Sequence, residues 1–273
     1  MPSSTLSPPL FAILTALVEE RTGMHYEPHD LEMFASKLVA RALDAGFESP
    51  LDYYYFLQYD DPGRRELDAL TDALVVNETY FYREAPSLRV LCDDVLGPVV
   101  ASGRRARVWC AACSTGEEPL TLAMLLADRR LLDDVEIVAS DISNRALARA
   151  REGTYGQRSL RAVVDVSNER WLERFGDGYR VRPEIRNSVA WRRVNLLERD
   201  AVAALGAFDA IVCRNVLIYF SETTIRQVVS SLTEALREDG CLLVGASESL
   251  LRFGTMLLCE ERGGSFLYRK PRS

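Results

Sequence analysis

Apolar residues in the first part of the chain recur at helical spacing. They lie three and four positions apart in residues 10–18 and 31–42, and the pattern continues around Tyr53 and Leu70. Residues 61–63, Asp-Pro-Gly, interrupt the last two segments as a helix-breaking turn. No run with the alternation of a strand occurs here. The pattern predicts a small N-terminal helical domain over residues 1–76.

From about residue 105 short apolar runs alternate with helical patterns. Strands are predicted at residues 107–111, 136–140, 208–213 and 241–245, and helices follow the first three. Such alternation favours a mostly parallel, doubly wound sheet, as in Rossmann-like α/β domains. The tail at residues 265–269 fits an additional edge strand. We therefore predict an α/β domain over residues 105–273, joined to the helical domain by a linker and a connecting helix at residues 77–104.

The α/β alternation is interrupted between Tyr155 and Val194. Gly176-Asp177-Gly178 has the composition of a hairpin turn, and the runs at residues 179–182 and 188–192 alternate like short strands. This pattern predicts a small antiparallel β-subdomain inserted into the α/β domain at about residues 156–192.

Composition and charge exclude several classes of protein. The chain has 273 residues, of which 48% are hydrophobic and 27% charged, a balance that indicates a globular protein and excludes disorder and fibrous repeats. Its formal net charge is −7, whereas binding along nucleic-acid phosphates requires a basic surface. No apolar run is long enough to span a bilayer. We therefore expect neither a nucleic-acid partner nor membrane insertion.

Cysteine and histidine positions limit the chemistry further. Cys110 and Cys113 form a C-x-x-C pair, but no second pair and no nearby histidine completes a zinc site. Small buried residues in a reduced cytoplasm explain this pair better, so we expect a cytoplasmic protein without a metal centre. The chain has only two histidines, His25 and His29. A hydrolase triad or a histidine general base in the C-terminal half is therefore excluded.

Polar residues follow three of the predicted strands, where open parallel sheets bind ligands. The turn at residues 114–118 follows the first strand, Asp141 ends the second, and Asn215 follows the third. The turn contains neither the dinucleotide glycine fingerprint nor a phosphate-loop lysine. Its acidic residues would repel a pyrophosphate but attract an amino group, and an acidic residue such as Asp141 commonly binds ribose hydroxyls. This combination suits S-adenosylmethionine (SAM) better than NAD or ATP.

Each of these acidic residues also has a purely structural interpretation. Glu117 and Glu118 can stabilise a helix N-terminus through its dipole, and Asp141 can serve as a helix N-cap. Their joint position at successive strand ends favours a ligand site.

Four segments carry a resemblance to a known family. NETYFYRE (77–84), WCAACSTGEEPLTLAMLL (109–126), ASDIS (139–143) and FDAIVCRNVLIYF (208–220) occur in this order. The chain resembles, over essentially its whole length, the CheR family of chemotaxis protein-glutamate O-methyltransferases. The resemblance implies a class I SAM-dependent methyltransferase fold with an N-terminal helical domain and an inserted β-subdomain. It also implies methyl transfer from SAM to chemoreceptor glutamates, which gives methyl esters and S-adenosylhomocysteine.

The motif match implies a set of SAM-binding residues. In chain order these are Asn77, Thr79, Arg83, Glu117, Glu118, Asp141, Asn195, Leu196, Asn215 and Val216. Asn77, Thr79 and Arg83 contact SAM from the linker, and the two glutamates lie at its methionine end. Asp141 lies at the ribose and the pair 195–196 flanks the adenine. The pair 215–216 closes the site. Arg83 and Tyr219 are implied to lie nearest the transferred methyl and the substrate carboxylate, in catalytic roles.

The implied partner is the cytoplasmic helical region of a chemoreceptor, bound by a monomeric enzyme. Family members typically present several arginines to acidic receptor helices from an N-terminal helix, where this chain has only Lys37 and Arg41. Electrostatic steering should be correspondingly weaker. A different receptor, another carboxylate substrate, or a non-catalytic SAM-sensing module therefore remain as alternatives.

Overall fold

The computed structural model describes residues 6–163 and 170–272. The chain forms two compact units, one of residues 1–76 with 219–224 and the other of residues 77–218 with 225–273. Within the described ranges, no helix combines the length and the apolar character needed to cross a bilayer.

The smaller unit is built from helices. They are α1 (Pro8–Thr22), α2 (Leu31–Asp44), α3 (Pro50–Tyr55) and α4 (Arg65–Leu74). Prolines occupy the first turn of α1 and α3, where a missing N–H costs nothing, and Gly23 ends α1 in the left-handed conformation with φ 80°. The inward faces form one core that includes Leu14, Phe34 and Leu70. The predicted helical N-terminal domain is confirmed.

Both basic side chains of α2 bind partners inside this unit. The Arg41 guanidinium donates from Nε and Nη2 to the two carboxylate oxygens of Glu66, at 2.7 and 2.8 Å, and the Tyr53 hydroxyl donates to the same carboxylate at 2.6 Å. The Lys37 ammonium donates to the Leu74 carbonyl at 2.9 Å. These cations therefore hold α2 to the neighbouring chain segments.

The larger unit contains a seven-stranded and a three-stranded sheet. Its strands are β1 (Ala106–Ala111), β2 (Val135–Asp141), β3 (Thr154–Tyr155), β4 (Leu172–Phe175), β5 (Gly178–Val181), β6 (Val189–Arg193), β7 (Phe208–Cys213), β8 (Leu236–Val244), β9 (Leu258–Arg262) and β10 (Ser265–Arg269). The large sheet has the order β6-β2-β1-β7-β8-β10-β9, with its first five strands parallel and β10 antiparallel to both neighbours. The small sheet is antiparallel in the order β3-β5-β4. The predicted fold class is confirmed.

Helices surround the large sheet. They are α5 (Ala85–Val90), α6 (Gly97–Ala101), α7 (Glu117–Asp128), α8 (Asn144–Glu152), α9 (Pro183–Arg186), α10 (Arg199–Ala203) and α11 (Glu222–Ala235). All six residues of β7 are buried, as expected of a strand covered on both faces. Because parallel strands end at the same edge, the carboxyl ends of β1, β2, β7 and β8 bring their following turns together.

Two strand assignments from the sequence were wrong. Residues 188–192 were predicted to lie in the β insertion, but Val189–Arg193 is β6 of the large sheet and pairs in parallel with β2 from Ile137 onward. The alternation of an edge strand looks the same in either sheet, so periodicity did not distinguish them. The C-terminal run forms β10, which is not an edge strand, because the unpredicted β9 pairs with its outer side.

Candidate active site

The turns at the carboxyl edge of the large sheet have unusual backbone conformations. Within the described ranges eight non-glycine residues have positive φ, and five lie in the linker or in these turns: Tyr82, Glu84, Ala112, Ser114 and Asn215. Such conformations cost free energy and persist where the surrounding contacts hold them, commonly at functional sites. The concentration marks this edge as the candidate site.

The turn between β1 and α7 requires glycine at one position. Gly116 has φ 95°, and an added Cβ would lie 2.7 Å from the Cβ of Ala150 and 2.9 Å from Cη2 of Trp191. The chain therefore enters α7 in close contact with α8 and β6. Glu117 and Glu118 follow in the first turn of α7.

Ser114 connects two of the residues predicted to bind SAM. Its backbone N–H donates to Oδ2 of Asp141 at 2.7 Å, and its hydroxyl donates to Oδ1 of Asn77 at 2.8 Å. The N–H of Ser143 donates to the other oxygen of Asp141 at 2.9 Å. The N-cap of α8 is Ser143, whose hydroxyl accepts from Ala146, so the N-cap interpretation of Asp141 was wrong.

The two glutamates at the start of α7 have different surroundings. Glu117 is buried, and its carboxylate oxygens accept from the hydroxyls of Thr115 at 2.7 Å and Ser159 at 2.8 Å. The Tyr155 hydroxyl donates to the Thr115 carbonyl at 2.7 Å and reinforces the same connection. Glu117 therefore fastens the turn after β1 to the segment that follows β3.

Glu118 instead faces a buried arginine, Arg214. Oε2 of Glu118 lies 3.2 Å from Nη1 of Arg214. Nη2 of Arg214 lies 3.1 Å from Oε2 of Glu84 and also donates to the Arg83 carbonyl at 2.8 Å. Burial raises the pKa of Glu118 above its ordinary value, and Arg214 opposes that rise. Only 1% of the Arg214 side chain is exposed, yet its Nε and Nη1 atoms have no hydrogen-bond partner.

Arg214 was missed by the sequence analysis, which named its neighbour Asn215 instead. The sequence did contain a signal for Arg214, namely an arginine directly after a buried strand. A charged side chain at such a position is buried only where hydrogen-bond acceptors surround it. Nη1 faces Glu118, so the Nε–H group is the buried donor left for a ligand, and a carboxylate oxygen is a natural acceptor for it. Glu118 beside it can accept an ammonium group.

Glu248 is a second missed residue, and it organises the turn after β7. It is buried, and its Oε2 accepts from the N–H groups of Asn215 at 2.7 Å and Gly245 at 2.8 Å, while Oε1 accepts from Ile218 at 3.3 Å. A Cβ on Gly245 would lie 2.7 Å from Nδ2 of Asn215, so glycine permits this close approach. The signal in the sequence was the segment GASESL after β8.

The other predicted residues lie around this edge. Nη1 of Arg83 donates to the Glu78 carbonyl at 2.6 Å, and Thr79 is half-buried in the same linker. Oδ1 of Asn195 accepts from the N–H of Leu197 at 3.1 Å, and both Leu196 and Val216 are at least half-buried.

Tyr219 belongs to the smaller unit. Its carbonyl accepts from the N–H of His25 at 2.8 Å.

The C-x-x-C pair lies beneath the site rather than in it. Cys110 and Cys113 are buried, and burial raises the pKa of both thiols well above the ordinary value. The thiols therefore stay protonated and unreactive at neutral pH. In the described part of the chain, no group of three or more histidine, cysteine or acidic side chains is arranged to hold a metal ion.

The strand order and the position of the site define the class of protein. Five parallel strands followed by an antiparallel pair, with acidic residues after β1 and at the end of β2, make the larger unit a class I SAM-dependent methyltransferase domain. The family model "CheR methyltransferase, SAM binding domain" matches residues 77–261, and "CheR methyltransferase, all-alpha domain" matches residues 9–75. The chain belongs to the CheR methyltransferase family, and its cofactor is SAM.

Curated relatives support the family over nearly the whole chain. Chemotaxis protein methyltransferase 2 of Vibrio cholerae is 35% identical over 92% of this chain and 89% of its own length. The Escherichia coli chemotaxis protein methyltransferase is 34% identical over 89% of this chain and 85% of its own length. Among solved structures, PKMT2 from Rickettsia typhi in complex with AdoHcy is 18% identical with a TM-score of 0.38, covering 62% of this chain and 26% of that one.

Proposed function

We propose that this protein transfers the methyl group of SAM to glutamate carboxylates of a chemoreceptor, giving methyl esters and S-adenosylhomocysteine. The observation that carries the proposal is the Glu118–Arg214 pair at the carboxyl edge of the sheet, with the buried Nε–H group of the arginine available for a ligand. An acidic and a basic group side by side complement the amino and carboxylate groups of a methionine moiety. The relatives named chemotaxis protein methyltransferases supply the substrate class.

The surrounding residues fit the rest of SAM. The Asp141 carboxylate accepts backbone N–H groups from the turns after β1 and β2, which orient it at the strand end where it would meet the ribose hydroxyls. Asn195 and Leu196 follow β6 and would flank the adenine, while the linker residues Asn77 and Thr79 would cover the cofactor. Glu117 is only 2% exposed and fastens the turn after β1 to Ser159, so we assign it to holding that turn rather than to SAM.

The chemistry requires orientation more than proton transfer. A glutamate side chain has an ordinary pKa of about 4.3, so at neutral pH it is already an ionised nucleophile and needs no general base. When bound, SAM supplies an electrophilic sulfonium methyl group. The protein's task is to align the carboxylate and to remove part of its water. Arg83 would steer the carboxylate by charge-assisted hydrogen bonds, and Tyr219 would adjust its orientation.

This assignment predicts a specific kinetic effect. Arg83→Ala and Tyr219→Phe should each lower kcat about tenfold or more, a loss expected when a positioning contact in the transition state is removed. The Kd of S-adenosylhomocysteine should change far less. Methyl transfer at the wild-type rate in both variants would refute the assignment.

The function itself is tested by following a labelled methyl group. The protein is incubated with methyl-labelled SAM and the cytoplasmic fragment of a chemoreceptor, and the modified fragment is then treated with base. Release of the label as methanol identifies a methyl ester. Label that resists base would indicate another acceptor group, and SAM binding without any transfer would indicate a sensing module.

A second substrate class is favoured by one observation. Arg41 is engaged by Glu66, and Lys37 by the Leu74 carbonyl, so the two cations of α2 already serve the interior of the smaller unit. An acidic receptor helix would therefore gain less from them, and another protein carboxylate is the alternative acceptor. In either case we propose a cytoplasmic, monomeric enzyme.

A further inference from the structure

A cavity of about 450 Å³ opens beside the candidate active site, entirely within the larger unit. Its walls come from the start of α5, the turn after β8, and the strands β9 and β10. Most of its lining is apolar. None of the residues assigned to SAM lines this cavity.

The outer wall of the cavity is an exposed apolar face. Leu251 is 74% exposed and Phe266 is 58% exposed, and both line the opening. Tyr268 lies directly opposite Cys259 in the β9–β10 pair, and Phe266 shares their face because side chains alternate along a strand. Large apolar side chains exposed together around a concave surface indicate a binding site more than isolated ones do.

The inner wall of the cavity includes two glutamates that support the proposed methyl-transfer site. Glu84, which pairs with Arg214, directly follows the proposed steering residue Arg83, and Glu248 holds the N–H groups of Asn215 and Ile218. Both glutamates line the cavity. The cavity and the proposed site therefore adjoin through these two glutamates.

Charge indicates how such a protein would be held. The chain carries a net charge of −7, so a substrate segment rich in glutamate is repelled at long range. The cations of α2 are committed to partners within their own unit. Apolar contact then has to supply much of the affinity for the acceptor.

We propose that this cavity receives an apolar side chain of the methyl-accepting protein, carried one turn away from the modified glutamate on the same helix. The proposal rests on the proposed function, because it assumes a protein substrate with a carboxylate at the adjoining site. Residues three or four apart on a helix lie on one face, so a glutamate and an apolar residue at that spacing can reach the site and the cavity together.

Kinetics with the receptor fragment that the wild-type protein methylates test the proposal. Leu251→Ser and Phe266→Ser should each raise KM for that fragment about tenfold, the effect of losing burial of one apolar side chain, with kcat within about twofold. Their Kd for S-adenosylhomocysteine should equal that of the wild type. Met256→Ser and Leu258→Ser are matched controls, since these residues are 76% and 57% exposed and do not line the cavity.

Cys259 offers an independent readout without any change of sequence. All six cysteines lie in the described ranges, and Cys259 alone is exposed. N-ethylmaleimide should therefore alkylate it selectively, and the receptor fragment should slow that alkylation, whereas S-adenosylhomocysteine should not. Cys259→Ser, which should abolish the labelling, identifies the site.

The outcomes separate the two proposals. If the wild-type protein methylates no receptor fragment, the proposed function fails before the variants are compared. If the wild type is active, but the cavity variants have its KM and the fragment leaves alkylation of Cys259 unchanged, the cavity does not bind the acceptor. A KM raised equally in the Met256 and Leu258 controls would also overturn the inference.

Discussion

Arg214 is a buried arginine whose guanidinium faces the carboxylates of Glu84 and Glu118 and the Arg83 carbonyl. Burying a charge costs several kcal/mol unless it is paired and hydrogen-bonded, so the neighbouring carboxylates account for its presence in the interior. They leave Nε and Nη1 without a hydrogen-bond partner. Once Glu118 is ionised, two carboxylates face one guanidinium, which suits a ligand carrying an ammonium group.

At this residue scale, Arg214→Lys should weaken SAM binding while keeping the buried charge. The lysine ammonium cannot contact Glu84, Glu118 and the Arg83 carbonyl as the guanidinium does and also supply the Nε–H donor. We therefore expect the Kd of S-adenosylhomocysteine to rise about tenfold or more. Titration calorimetry measures the change, and circular dichroism checks that the variant folds. An unaltered Kd would show that Arg214 is only structural.

The raised pKa of Glu118 predicts a pH dependence at the same scale. In the folded protein without ligand, Glu118 holds a proton more tightly than in the unfolded chain, so its contribution to stability decreases as the pH rises above the ordinary glutamate range. An ammonium ligand favours the ionised form, so binding should release a proton and weaken on acidification. Calorimetry in buffers of different ionisation enthalpy measures that proton, which Glu118→Gln should abolish.

At the scale of elements, side-chain carboxylates connect the turns that follow the strands. Asp141 joins the turns after β1 and β2, and Glu248 joins the turns after β7 and β8. Each carboxylate accepts backbone N–H groups that the regular strands leave unpaired at their ends. These connections hold residues such as Ser114 and Asn215 in left-handed conformations.

Glu248→Gln tests this connection. The amide can accept at one oxygen only, so its NH₂ group would face a backbone N–H, at a cost of about 1–3 kcal/mol. We expect a lower melting temperature and a kcat reduced more than the affinity for S-adenosylhomocysteine, because the turn leading to Tyr219 loses its anchor. The neighbouring exposed Ser247 provides the control variant Ser247→Ala, which should behave like the wild type. Wild-type kcat in Glu248→Gln would contradict a positioning role.

At the scale of the whole molecule, each unit has its own apolar core. The core of the smaller unit includes Leu14, Phe34 and Leu70, and that of the larger unit includes Cys110 and Leu243. All three tryptophans, Trp109, Trp171 and Trp191, lie in the larger unit. Tryptophan fluorescence therefore reports on the SAM-binding unit, while far-ultraviolet circular dichroism reports on the helices of both.

This difference predicts the response of thermal unfolding to ligand. S-adenosylhomocysteine at 100 times its Kd should stabilise the unit that binds it by about 2.7 kcal/mol. The transition followed by tryptophan fluorescence should then move upward by about 5–10 °C. A ligand-dependent shift seen by circular dichroism but absent from tryptophan fluorescence would place binding outside the larger unit.

Local pattern by itself determined most of the elements. The boundaries predicted for β7 agree with the structure, and the helix predicted after the second strand is α8. A fully buried apolar run and a capped helix are specified by neighbouring residues. The strand-end positions of Asp141 and Asn215 were also evident, since the carboxyl ends of parallel strands meet at one edge. The four sequence motifs indicated the family.

The tertiary structure alone decided which strands pair and which polar groups remain unpartnered. The run at Val189–Arg193 joined the large sheet because β2 had an open edge, which periodicity does not reveal. The roles of Arg214 and Glu248 depend on burial and on donors supplied from distant segments. Hydrogen-bond partners far apart in sequence are chosen only when the chain has folded, so the surroundings of these side chains had to come from the structure.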